Sequence, residues 1–298
     1  MKNNNWHGIF NVMITPFDKY GDIDYDGFKN NLLYSQINNS NGVIIAGSTG
    51  EFYNLEDNER ISLFEIAKEV LDDNTIIIGG CTSLCSTKNN INLISKSYNT
   101  GIDGIMLLPP LFLHPNDVEV VNYFEEISQN TDCPIMVYNN PVRTGVLINN
   151  KMLGNIIKNS NVIAIKDSSK DLSLLGSFIE DYGNDISIFT GFDTLIVPSI
   201  AIGADGVASM TFQVFANIIN NIYQNIINGN IKESSKLQNH ILPLYHLMYN
   251  SNSSPYAVIK ESMNLNKLNG GYPRKPLRPV NNLDSKYIKT TIDYILSI

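Results

Sequence analysis

Eight short apolar runs, each followed by a longer stretch with apolar residues at helical spacing, constrain this chain more than any other feature. The runs cover residues 8–17, 42–46, 75–80, 104–108, 134–138, 162–166, 186–189 and 206–210, and they are near-continuous rather than alternating. A strand of that kind is buried on both faces, which calls for a parallel sheet. The helical stretches fall between them, at 25–37, 54–70, 86–98, 116–128, 149–159, 172–182, 194–202 and 214–227. Eight such units point to an α/β fold, a closed (β/α)8 TIM barrel, with a doubly wound open sheet as the alternative. No turn resembles GxGxxG, which counts against the dinucleotide-binding form of that alternative. After Gly229 the strands stop, and 231–249, 254–265 and 285–296 read as helices. The expected organisation is a barrel over residues 1–229 and a C-terminal helical region over 230–298.

Bulk properties narrow the function classes. At 298 residues and 43% hydrophobic, the chain has ample material for a core. A net charge of −8 argues against nucleic acid or an anionic membrane as partner. No apolar run approaches the roughly 18 residues of a membrane span, and residues 1–7 contain no signal-peptide core. Cys81, Cys85 and Cys133 form no even framework, so a cytoplasmic location with reduced thiols is expected. Cys81 and Cys85 have no histidine or further cysteine at zinc-binding spacing, so no metal is expected. His240 and His246 fall on different faces of a helix and read as structural.

In a barrel of this kind the reacting groups come from the C-terminal ends of the strands. Strand one ends at Thr15-Pro16 and strand two at Gly47-Ser48-Thr49-Gly50-Glu51. Strand five ends at Tyr138, with Arg143 just beyond. Strand six ends at Lys166, strand seven at Gly191-Phe192-Asp193 and strand eight at Ser209. An amine, a phenol, a guanidinium and several hydroxyls thus converge on one mouth. A lysine desolvated at a buried strand end favours the neutral amine, which condenses with a 2-keto acid to an imine that acts as an electron sink. A tyrosine can shuttle the protons. Amides and hydroxyls of Gly47-Ser48-Thr49 can hold a carboxylate, and Arg143 can grip a second one. Taken singly, each residue has a plainer reading: a strand-end lysine in water, a core tyrosine, a solvated arginine, an aspartate N-cap at Asp193. The joint pattern is what points to chemistry.

Gly47-Ser48-Thr49-Gly50-Glu51, Tyr138-Asn139-Asn140-Pro141 and Ile165-Lys166-Asp167 resemble, in order and spacing, the motifs of the dihydrodipicolinate synthase / N-acetylneuraminate lyase family. The likeness runs from Gly8 to about Val280. It implies a homotetramer and a pyruvate Schiff base on Lys166, with Tyr138 as the proton-transfer phenol. Ser48 and Thr49 would bind the keto-acid carboxylate and take part in a hydroxyl relay. Gly47, Arg143, Gly191, Asp193, Val207 and Ser209 complete the expected substrate-binding set. No cofactor is implied beyond the covalent imine, and the partners are a keto acid (pyruvate) and an aldehyde. Val142-Arg143-Thr144-Gly145 is similar to the loop with which the synthases hold aspartate semialdehyde, so 4-hydroxy-tetrahydrodipicolinate synthase activity is the first expectation. Leu111 and Phe112 stand where synthases typically have two tyrosines, the second of which reaches a neighbouring subunit's site; water or Tyr53 would have to replace it. Gly191-Phe192-Asp193-Thr194 looks closer to the lyase and sugar-acid aldolase branches, which keeps a 2-keto-3-deoxy-acid aldolase or an N-acetylneuraminate-lyase-like enzyme open. A catalytically silent keto-acid-binding paralogue is the alternative of another class. Residues 52–60 and 83–88 do not resemble the family's lysine-inhibition site, so no feedback by lysine is expected.

Overall fold

The structure, a computed structural model, describes residues 6–83 and 86–297; expectations that fall on residues 1–5 and on Cys85 lie outside the described residues. Eight strands pair in chain order and all in parallel: β1 (Gly8–Val12), β2 (Gly42–Ile45), β3 (Ile76–Gly80), β4 (Gly104–Leu107), β5 (Ile135–Asn139), β6 (Val162–Asp167), β7 (Ser187–Thr190) and β8 (Gly206–Ser209). β8 pairs back onto β1, from Gly8 against Gly206 to Asn11 against Ser209, which closes the barrel. The closed (β/α)8 expectation holds, and the open-sheet alternative does not.

Helices wrap the barrel: α1 (Tyr25–Ile37), α2 (Asp57–Val70), α3 (Thr87–Tyr98), α4 (Asp117–Gln129), a single turn α5 (Pro141–Thr144), α6 (Asn150–Lys158), α7 (Leu172–Tyr182), α8 (Ile196–Ala201) and α9 (Phe212–Ile227). Three more follow, α10 (Ile231–Asn250), α11 (Pro255–Leu265) and α12 (Asn282–Ile295). Polar side chains start most of them. Asp24, Asn149, Asp171 and Ser254 each accept a first-turn N–H, and such caps stabilise by about 1 kcal/mol. Asn54 is not the cap of α2: it closes a 3-10 turn over Phe52–Asn54, and the helix starts after Glu56, whose N–H is bonded by Glu59 at 2.9 Å. The first strand is shorter than its apolar run: the Met13 N–H still donates to the Ile44 carbonyl of β2, but the Ile14 N–H turns to the Gln213 side chain at 3.0 Å.

Side-chain alternation divides the strands between two cores. Each strand sends at least one residue inward, Phe10, Ile44, Ile78, Met106, Met136, Ala164, Phe189 and Ala208 among them. Trp6 packs with them at the N-terminal end, so that the barrel is filled there and its C-terminal mouth is left for chemistry. The alternate residues, among them Val43, Ile77, Ile105, Val137, Ile165 and Ile188, meet the surrounding helices. Around β1 and β8 this outer layer is continuous with α9 to α12, through Ile9, Val207, Ile219, Leu244, Ile259 and Ile292. The C-terminal helices are therefore bound to one side of the barrel by a shared core. His240 belongs to that packing, its Nε2 lying 3.1 Å from the Tyr294 carbonyl oxygen.

Candidate active site

β5 and β6 bring the two reactive groups together. Tyr138 and Lys166 are register partners, and alternation turns both into the barrel mouth. Lys166 is 4% exposed, and its Nζ lies 4.4 Å from the centre of the Tyr138 ring. The Tyr138 hydroxyl accepts a hydrogen bond from Asn140 Nδ2 at 2.8 Å. Burial by itself would raise the Tyr138 pKa. The Lys166 charge, the Asn140 donor, Ser168 and Arg143 together outweigh burial and hold the phenol below the usual tyrosine value. Ser168 Oγ is buried and close enough to favour the phenolate, yet no group stands in good hydrogen-bonding geometry to it.

Neighbouring side chains of β5 and β6 point the other way and brace the site. Asn139 donates to Asp167 at 2.8 Å and bonds both backbone groups of Ile148, which pins the loop that carries Arg143. Gly191 clears space beside the lysine. A Cβ there would overlap Ser168 Oγ and sit 3.0 Å from Lys166 Cε.

The Gly47-Ser48-Thr49-Gly50 turn leaves β2 through Ala46, whose φ of +52° lies in the left-handed region, and ends at Glu51 with φ +57°. For non-glycine residues such values cost about 1–2 kcal/mol each. Thr15 Oγ1 fastens the turn by donating to the Gly50 carbonyl at 2.8 Å. Among the described residues, the Ser48 and Thr49 amides donate to no carbonyl, so both are available to an anion. Glu51 is wholly buried and accepts from Lys260 Nζ at 2.5 Å and from the Arg274 amide at 3.1 Å, which ties the turn to α11 and the segment after it. Burial, only partly offset by Glu51, brings the Lys260 pKa down to about 8.

These groups surround a cavity of about 290 Å³ lined by Ser48, Thr49, Tyr138, Arg143, Lys166 and Gly191 together with residues from the C-terminal region. The expected set is thus largely brought together. Arg143, on α5, is exposed, with Nη2 bonded to the Tyr256 hydroxyl at 3.2 Å. Gly47 lies behind the lining, packed near Met106.

Three members of the expected set offer no free side chain to the cavity. The Val207 side chain faces the outer core, and it is Ala208, one residue on, that lines the cavity. Ser209 is fully buried and turned to Asp193 and the Phe212 amide, not to the cavity. Asp193 does reach the cavity wall, but its carboxylate is already engaged. It accepts from Ser209 Oγ, Thr211 Oγ1, the Met210 amide and the Tyr245 hydroxyl, so it is a buried anchor for α10 and not the N-cap of a helix. Burial and the Asp193 charge in turn keep Tyr245 far above the usual tyrosine pKa.

Several lining residues carry no signal in the sequence. Tyr245, Tyr249, Pro255 and Tyr256 wall the mouth from α10 and α11, and Ser168, Lys170 and Met210 join them. Burial pushes Tyr249 and Tyr256 up to about 12, so both are neutral phenols at pH 7. Tyr53 lies outside this cavity, in an adjoining one of about 450 Å³ with Leu111, Arg143 and Tyr256. Phe112 is 86% exposed, with φ +72°. Cys81 is buried beside Ser97, and burial raises its thiol to about 12, far from a reactive thiolate. Among the described residues no cluster of His, Cys, Asp or Glu is placed to hold a metal ion, and no helix is long and apolar enough to cross a membrane.

The model of the dihydrodipicolinate synthetase family matches residues 5–295. The 4-hydroxy-tetrahydrodipicolinate synthase of Oceanobacillus iheyensis is 32% identical, over 92% of each chain. The crystal structure of dihydrodipicolinate synthase DapA-2 from Bacillus anthracis superposes with a TM-score of 0.92 at 26% identity, over 99% of each chain. CdNal from Clostridium difficile, solved in complex with mannosamine, does so at 0.90 and 25% identity, over 97% of this chain and 99% of its own.

Proposed function

Since this chain belongs to the dihydrodipicolinate synthetase family, whose members are lyases, we propose that it is a class I aldolase acting through a pyruvate imine on Lys166, with L-aspartate semialdehyde as the aldehyde. The observation that carries this reading is the buried amine of Lys166 against the Tyr138 ring, in one cavity with the Ser48 and Thr49 amides, which among the described residues donate to no carbonyl.

The pyruvate carboxylate rests on the Ser48–Thr49 turn, which directs its ketone carbon to Lys166 Nζ. The amine adds to that carbon, and the carbonyl oxygen leaves as water once Tyr138 has protonated it. Loss of a methyl proton gives an enamine, whose carbon attacks the aldehyde while Arg143 holds the aldehyde's carboxylate. The amino group of the bound aspartate semialdehyde then adds to the imine carbon, closes a ring and displaces Lys166. A phenol of lowered pKa suits the repeated proton transfers, because it gives up and regains a proton more evenly at neutral pH. The chemistry calls for no cofactor, and a cytoplasmic homotetramer is the assembly proposed.

Phe112 favours a second reading. It cannot transfer a proton, so retro-aldol release of pyruvate from a 2-keto-3-deoxy sugar acid, or plain keto-acid binding without turnover, competes with synthesis. Consumption of pyruvate with aspartate semialdehyde, set beside its release from 2-keto-3-deoxygluconate in a lactate dehydrogenase-coupled assay, separates the three. The synthase reading expects the first activity to dominate. Dominance of the second activity, or the absence of both, rejects it.

A further inference from the structure

Lys170 stands four residues beyond Lys166, at the turn between β6 and α7, with φ +68°. This is a conformation in which glycine would be at ease and lysine is strained, and strain of this kind collects at functional sites. Its side chain lines the catalytic cavity. Nζ lies 4.8 Å from the centre of the Phe192 ring and 5.5 Å from that of Tyr249, both on the cavity wall. Among the described residues no carboxylate pairs with Lys170 or with Arg143. The one acidic side chain in the wall, Asp193, is saturated by four donors. Among the described residues the mouth therefore offers two cations besides Lys166, and no free anion, to whatever enters above the imine.

We propose that Lys170 is a specificity-determining residue that, with Arg143, reads an anionic group on the aldehyde's far end. This deepens the reading above and rests on it: the co-substrate class is an aldehyde that carries a carboxylate, not a neutral hydroxylated one. The aromatic faces under Nζ hold the ammonium at the rim without neutralising it, since a ring attracts a cation yet leaves its hydrogen-bond donors free.

The test uses Lys170→Gly and Lys170→Asn, which tolerate a positive φ, and Lys170→Arg, which keeps the charge. Glycine relieves the strain but gains entropy in the unfolded chain, and these effects oppose each other, so the variant keeps its fold. KM for aspartate semialdehyde rises about tenfold in the first two and stays near wild type in Lys170→Arg, while KM for pyruvate does not follow. The difference closes in about 1 M salt, where the screening length is about 3 Å. An unchanged aldehyde KM in Lys170→Gly, or an equal loss in Lys170→Arg, overturns the proposal. Calorimetry with glutarate, a dicarboxylate without a carbonyl, reads the same site without imine chemistry. Binding about tenfold weaker in Lys170→Gly than in wild type supports Lys170 even where no pyruvate adduct forms, and equal binding rejects it.

Discussion

Glu51→Gln is the substitution whose cost the structure defines best. Glu51 is 0% and Lys260 1% exposed at the side chain, with Oε1 and Nζ 2.5 Å apart. Lys260 also donates to the Tyr272 carbonyl at 2.8 Å, and Glu51 also accepts from the Arg274 amide. Even beside this carboxylate, burial brings Lys260 down to about 8. A neutral amide at position 51 removes the attraction and keeps the burial. At pH 7 the lysine must then sit charged without a counter-ion or give up its proton. Breaking one side of a buried pair in this way costs about 3–5 kcal/mol. At about 2 °C per kcal/mol for a chain of this size, Tm falls by about 6–10 °C. Because Glu51 closes the turn that presents Ser48 and Thr49, KM for pyruvate rises as well. Thermal melts at pH 7 followed by circular dichroism, with pyruvate kinetics on the same samples, read both effects. Adding Lys260→Met removes the stranded charge and recovers most of the Tm, though not the turn's anchor. A Tm loss in Glu51→Gln of under about 2 °C, or a double variant no more stable than the single one, would show that Glu51 does not hold a buried charge on Lys260.

Two further substitutions probe the lysine's surroundings. Gly191→Ala places a methyl 3.0 Å from Lys166 Cε, and a displacement of about 1 Å at a reacting group costs about a hundredfold. Imine trapping should slow by that order while far-ultraviolet dichroism is unchanged, and wild-type trapping rates would show that the glycine does not set the lysine's place. Burial raises Asp167 from 3.8 to about 6, its bonds to Ser169 and Asn139 notwithstanding. A carboxyl with a raised folded pKa gives stability that is full below its unfolded value and lost as pH rises through about 6. Asp167→Asn cannot lose that term, so in urea melts its stability relative to wild type should climb by about 2–3 kcal/mol between pH 4 and 6. A flat difference across that range contradicts the burial argument.

The barrel was legible because each strand is buried on both faces and leaves a run that water-facing segments do not have. The sites of Lys166, Tyr138 and Ser48–Thr49 followed from the rule that a parallel barrel keeps its chemistry at the strand ends. Other parts could not be read this way. Val207 and Ala208 differ by one residue, and only the register of β8 on β1 decides which faces inward. Tyr256 meets Arg143 across 113 positions, and Tyr245 meets Asp193 across 52, distances at which periodicity carries no trace. The aspartate that looked like a helix cap is instead the hub that draws α10 to the mouth. Lys170 has no signature of its own, because nothing in a sequence marks a positive φ at a residue other than glycine.

Imine formation on the buried amine of Lys166 is read by borohydride reduction in the presence of pyruvate. Peptide mass analysis should find one reduced pyruvate adduct, on the peptide that carries Lys166, and none in Lys166→Ala. No adduct in the wild-type protein, or an adduct on Lys170 or Lys260 instead, would rule out Lys166 as the imine-forming amine.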